Sequence, residues 1–121
     1  MSFDSGTFNK FSLPAGADLS AKQYHAVVAD SNGALVAVGA GAYAVGLLQN
    51  KPASGQPGSF VFSGVSKAKL GGTVAAGAKV AANASGAIVT AATGNTVIGI
   101  ALAGGASGDV IPVLVMPGAT A

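Results

Sequence analysis

Only 8% of the 121 residues are charged, against about 25% in an ordinary soluble domain, so charge alone cannot solvate the surface of this chain. The net charge of +2 rests on six Lys and four Asp, with no Arg or Glu and no basic run, which is too weak for a nucleic-acid surface. Zero Cys excludes disulfides, thiolate metal sites and cysteine nucleophiles. With 50% hydrophobic residues, the surface must be either bland (Ala, Gly, Ser, Thr, Asn) or covered by other chains. Both together predict a homo-oligomer or a docked subunit.

Residues 1–18 read as an extended N-terminal arm ahead of a single β domain over 19–121. Phe3, Phe8, Phe11 and Leu13 are spaced without helical or strand period, and no basic, apolar leader pattern precedes them. A free tail is aromatic-poor, so these side chains either dock on a neighbour or pack on the chain's own core. Residues 19–29 are strand-like, and Asp30-Ser31-Asn32-Gly33 is a turn whose Asn-Gly suits type I′. Strands are expected at 35–38, 43–49 and 59–63, with the polar, Pro-rich loop 50–58 before the last. In 64–70, Lys67 and Lys69 lie two apart and share one solvated strand face.

The Ala-rich stretch 73–82 has helical propensity, but Gly77 interrupts it, and short strands are expected there. A turn at 83–86 and a strand at 87–91 follow. Residues 97–102 and 110–115 form the last hairpin around the turn-rich 103–109, and 116–121 is a tail.

Residues 27–62 and 80–115 align without a gap at an offset of 53 residues, Gly41 falling on Gly94 and Ala53-Ser54-Gly55 on Ala106-Ser107-Gly108. Ten positions are identical, against about four expected from composition. This predicts an internal duplication, each copy a hairpin followed by a longer hairpin. Ile98, Ile100 and Leu102 alternate with Val97, Gly99 and Ala101, so the strand is apolar on both faces and lies between layers or inside an assembly. The fold class is all-β: a small sandwich or barrel of short antiparallel strands.

No catalytic, metal or cofactor set emerges. His25 with Asp18 or Asp30 lacks a serine in a nucleophile elbow, and scattered Asp cannot complete a metal site. Gly71-Gly72 lacks the Lys-[Ser/Thr] of a phosphate loop. The uncharged run 34–48 is too short to span a membrane as a helix, and Asn83, Ser85, Thr90, Thr93, Asn95 and Thr96 break up 80–108. The expectation is therefore not an enzyme, with no cofactor, no nucleic acid and no membrane.

From Gly33 onward the chain resembles the capsid cement (head decoration) proteins of tailed bacteriophages. The carrying residues are Val45-Gly46-Leu47-Leu48-Gln49-Asn50-Lys51-Pro52, Gly64-Val65-Ser66-Lys67-Ala68-Lys69, Ala76-Gly77, Ala92-Thr93-Gly94, Val97-Ile98-Gly99-Ile100-Ala101-Leu102 and Val113-Leu114-Val115-Met116-Pro117-Gly118. The resemblance implies a small β protein, often trimeric, made in the bacterial host cytoplasm and bound to the capsid exterior. There it fastens neighbouring major capsid subunits and stabilises the lattice. Phe3, Phe8, Phe11 and Leu13, in the aromatic arm that the resemblance does not cover, are the expected capsid or subunit contact arm. Ile98, Ile100, Leu102, Val113 and Val115 are the expected oligomer-contact strands. The alternative function is a carbohydrate- or receptor-binding β module on a phage or cell surface, disfavoured by the absence of Trp and the presence of only two Tyr.

Overall fold

The computed structural model describes residues 9–120. Among them there is no helix; nine antiparallel strands curl into an open half-barrel sheet. The strands are β1 (Asn9–Pro14), β2 (Ala26–Ala29), β3 (Leu35–Ala37), β4 (Gly46–Leu48), β5 (Pro57–Lys69), β6 (Lys79–Ala82), β7 (Ile88–Thr90), β8 (Thr96–Ala101) and β9 (Val110–Thr120). Their order is β3-β2-β4-β5-β9-β8-β6-β7, with β1 beside β5.

That order contains one five-stranded module twice. In the first, β2 pairs with β3 and β4, and β5 lies between β4 and β1. In the second, β6 pairs with β7 and β8, and β9 lies between β8 and β5. The 53-residue offset of the sequence carries β2 onto β6, β3 onto β7, β4 into β8 and β5 onto β9. Turn chemistry repeats with it. Asp30 Oδ1 accepts the N–H groups of Asn32 and Ala34, and Asn83 Oδ1 accepts those of Ser85 and Ala87. The duplication reaches further than the alignment did. Leu13 opposes Gly58 as Ala68 opposes Ile111, so the counterpart of β1 is the second half of β5. Strand β5 thus ends one module and begins the next. First-module residues ahead of Leu19 shift to an offset of 55, because two extra residues sit between Leu19 and Tyr24.

Three local expectations are corrected. Gly33 N–H bonds back to Asp30 O at 3.0 Å, so Ser31 and Asn32 are the central pair; neither has positive φ, whereas Gly33 after them does (75°), and the turn is type I followed by a left-handed glycine. Type I′ would need Ser31 and Asn32 both at positive φ. Residues 19–25 are not strand: Lys22 N–H bonds Leu19 O and His25 N–H bonds Lys22 O, which coils the chain before β2. The expected tail is largely strand, because β9 resumes its ladder with β8 beyond a bulge, Ala119 facing Val97 and Thr120 facing Thr96. Of the expected arm, residues 1–8 lie outside the described residues, while β1 joins the sheet edge of β5.

Two apolar clusters hold the sheet. The smaller contains Ala15, Leu19, Val27, Leu35, Leu48 and Phe60, all from the first module. The larger includes their second-module counterparts Leu70, Val74, Val80, Ile88, Ala101 and Val113, and joins them to Ala26, Val38, Ala44, Leu47 and Val61 of the first. The one buried polar residue described, Ser66, is satisfied: its Oγ accepts from Gln49 Nε2 at 2.7 Å and donates to Lys67 O at 3.0 Å.

Candidate docking surface

Alternation along β9 separates two faces. Ile111, Val113 and Val115 point inward, while Val110, Pro112, Leu114 and Met116 are exposed. In the antiparallel register Val65 faces Leu114, Lys67 faces Pro112 and Lys69 faces Val110. Across the other edge of β9, Ile100 faces Leu114, and Leu102 N–H bonds Pro112 O at 3.0 Å. Side chains opposite one another in such a ladder touch. The result is an apolar strip across the central strands, Val65–Leu114–Ile100 beside Pro112–Leu102, edged by Lys67, Lys69 and Lys79. Val65, Leu102 and Met116 keep 45, 48 and 47% of their surface. A contiguous patch of large apolar side chains on the middle of a sheet marks a surface that meets another molecule.

A second exposed group belongs to the first module. Phe11 packs edge-on against Phe60 with ring centres 6.1 Å apart, and Phe62 lies 6.4 Å beyond Phe60. Phe60 is buried in the small cluster, whereas Phe11, Phe62 and Tyr43 are exposed.

Tyr24 sits beside the strip. Its ring stands 5.9 Å from Lys67 Nζ, and its carbonyl accepts Lys69 N–H at 3.0 Å. A shallow cleft of about 590 Å³ runs between Tyr24, Lys67, Val110 and Pro112. A neighbouring cleft of about 310 Å³ is bounded by His25, Lys51 and Lys69. Burial pushes the His25 imidazole below its ordinary value, Lys22 and Lys69 push the same way, and hydrogen bonds to the Gln23 and Lys22 carbonyls oppose them. Its Nδ1–H donates to Gln23 O at 3.0 Å, so the ring is oriented by backbone rather than by a carboxylate or serine. Asp18 is held below the usual carboxylate range by Ser20. Among the described residues no three His, Asp or Glu side chains gather into a metal-binding group, and no helix is long and apolar enough to cross a membrane.

The residues expected from sequence fall as follows. Phe3 and Phe8 lie outside the described residues. Phe11 is exposed on β1, and Leu13 is half-buried against the small cluster. Ile98, Val113 and Val115 keep 0, 0 and 2% of their surface, so this chain's own core uses them and they have none to offer a neighbour. Ile100 is half-buried and Leu102 exposed, both on the strip. Sequence reasoning missed Val65, Val110, Pro112, Leu114 and Met116. The signal was present in Lys67 and Lys69, whose solvated face fixes, through the ladder, which parity of β9 points outward.

Comparison with known proteins agrees with this architecture. No curated protein sequence matches the chain. Among solved structures, the N base of head fiber gp8.5 in bacteriophage phi29 is similar with a TM-score of 0.73, covering 91% of this chain and 95% of that one. At 11% identity that likeness concerns the fold. The family model described as phage cement protein matches residues 13–117, nearly the whole sheet, and the chain therefore belongs to the phage cement protein family.

Proposed function

We propose that the protein is a structural component of the phage virion that binds the capsid exterior as a homo-oligomer, a trimer, and clamps neighbouring major capsid subunits. It is made in the bacterial host cytoplasm and joins the shell there. The observation that carries this reading is the uncovered apolar strip on β5, β9 and β8 of a chain belonging to the phage cement protein family. A lone monomer with so few charges would expose this strip to water; an assembly covers it.

The mechanism is mass action. A ligand that binds only the assembled lattice stabilises it by RT ln(1 + [L]/Kd), about 2.7 kcal/mol at a hundredfold excess over Kd. A trimer contacting several capsomers gains further through effective concentration. The contact arm is Phe3, Phe8, Phe11 and Leu13, of which Phe3 and Phe8 precede β1 and reach the lattice. Lys67, Lys69 and Lys79 favour an acidic rim on whatever the strip meets.

Co-sedimentation with phage heads lacking this protein tests the reading. The full chain should bind saturably and raise the temperature at which the heads rupture. A chain lacking residues 1–8 keeps the described sheet intact and should bind at least tenfold more weakly. Heads that neither bind the full chain nor gain stability from it rule the function out.

A further inference from the structure

The two modules of one chain pack on each other, and each module carries an unused copy of the surface the other uses. The second module covers the first through Ala26 N–H to Gly86 O at 2.8 Å, Gly41 N–H to Ala82 O at 2.8 Å, Thr96 N–H to Gly41 O at 3.0 Å and Gln49 Nε2 to Ser66 Oγ at 2.7 Å. Beneath these bonds Leu47 and Val61 are fully buried.

Apply the internal offset to both sides. On the covered side, Leu47, Gln49 and Val61 become Ile100, Leu102 and Leu114, which are the uncovered strip. On the covering side, Ser66, Thr96 and Val115 become Phe11, Tyr43 and Phe62, the exposed aromatic group of the first module. Val61 is 0% exposed and its counterpart Leu114 is 36% exposed; Val115 is 2% exposed and its counterpart Phe62 is 40%. Two complementary apolar surfaces are therefore left over at opposite ends of the tandem, each a copy of half an interface the chain already makes.

We propose that copies of this chain associate head to tail by repeating the internal module contact, the Phe11–Tyr43–Phe62 face of one copy seating on the Ile100–Leu102–Leu114 strip of the next. The counterpart of the Ala26-to-Gly86 bond then runs from Lys79 N–H of the copy that offers the strip to Gly33 O of the copy seated on it, and the Gln49–Ser66 contact becomes Leu102 of the former against Phe11 of the latter. Such an interface is heterologous, so it propagates until the rotation closes a ring. The inference details the self-association proposed above and does not depend on capsid binding.

The test uses purified protein without heads, so a capsid-binding failure cannot mimic its failure. The chain has no Cys, which makes introduced thiols specific. Both Phe11 and Leu102 are exposed, so F11C and L102C leave the two clusters in place. Under mild oxidation a mixture of F11C and L102C chains should cross-link into heterodimers. The double variant F11C/L102C should link into species larger than a dimer. Wild-type chain should show a multimeric mass by light scattering, and Leu114→Asp should weaken association about a hundredfold by placing a carboxylate in the apolar seam. A monomeric wild type overturns the proposal. So does cross-linking of F11C or L102C chains with themselves as readily as with each other, which would mark a two-fold contact.

Discussion

Tyr24 and Gly77 occupy the same place in the two modules, and both take a left-handed backbone: φ is 65° at Tyr24 and 84° at Gly77. Each donates its N–H to the end of the neighbouring strand, Tyr24 to Leu48 O and Gly77 to Ala101 O, both at 2.7 Å. Tyr24 is the one non-glycine residue with positive φ among those described, at a position where the repeat itself shows glycine to be compatible. Its ring stands at the module junction beside Lys67, a contact that glycine at this position could not make.

Substitution at Tyr24 should therefore invert the usual order of Ala and Gly. Tyr24→Ala keeps the strained φ and loses the ring; Tyr24→Gly loses the ring and relieves the strain. The Gly variant is expected to be about 1 kcal/mol more stable than the Ala variant in urea unfolding. Equal stabilities would mean that the turn relaxes in the Ala variant.

Gly46 and Gly99 are required for a different reason. A Cβ on Gly46 would collide with the Val61 carbonyl oxygen, and one on Gly99 with the Leu114 carbonyl oxygen, both in adjacent strands. Rigid backbone cannot yield as a side chain can, so Gly46→Ala and Gly99→Ala should each cost about 3 kcal/mol or prevent folding. Gly39→Ala, where a Cβ meets nothing within 4 Å, should change thermal stability by less than about 0.5 kcal/mol.

The paired turn caps give a third expectation. Asp30→Ala and Asn83→Ala each leave two backbone N–H groups without their side-chain acceptor. Each should cost about 1 kcal/mol in urea unfolding, and the double variant should show additive losses because the two turns share no partner.

His25 sets a pH dependence. Its folded-state value lies below the ordinary 6.5, so between the two values the unfolded chain binds more protons than the folded one. Stability should fall as pH drops through about 6.5 and level off once the folded state is protonated too. Asp18, whose carboxyl is also held below its ordinary value, contributes in the same sense, but only near and below 3.8. Urea midpoints measured from pH 7.5 to 5 should decline for the wild type and less steeply for His25→Gln; parallel curves would assign the decline to other groups.

The duplication was legible in the sequence because it is written in turns. Gly33, Gly41 and Gly55 recur as Gly86, Gly94 and Gly108, and all six take positive φ, so composition at these positions is tied to backbone shape. The match between β1 and the second half of β5 left no such trace. Asn9–Pro14 and its counterpart share no identical residue, since a strand at that place requires only a ladder partner and one apolar face. Outward parity on β8 was equally hidden, because inward Ile98 and outward Ile100 are the same amino acid and only long-range register separates them; on β9 it was legible only through the Lys67 and Lys69 face once the β5–β9 register is known. Residues 19–25 misled through apolar alternation that the extra residues before Tyr24 turn into a coil.

One strand, Pro57–Lys69, serves both modules, with Gly64 at φ 98° in its middle. There is no tether between the halves to cut or to stretch. A pull on either end travels along that strand and loads two ladders in shear at once. Tension applied to the sheet is therefore transmitted across its whole length without first paying out slack.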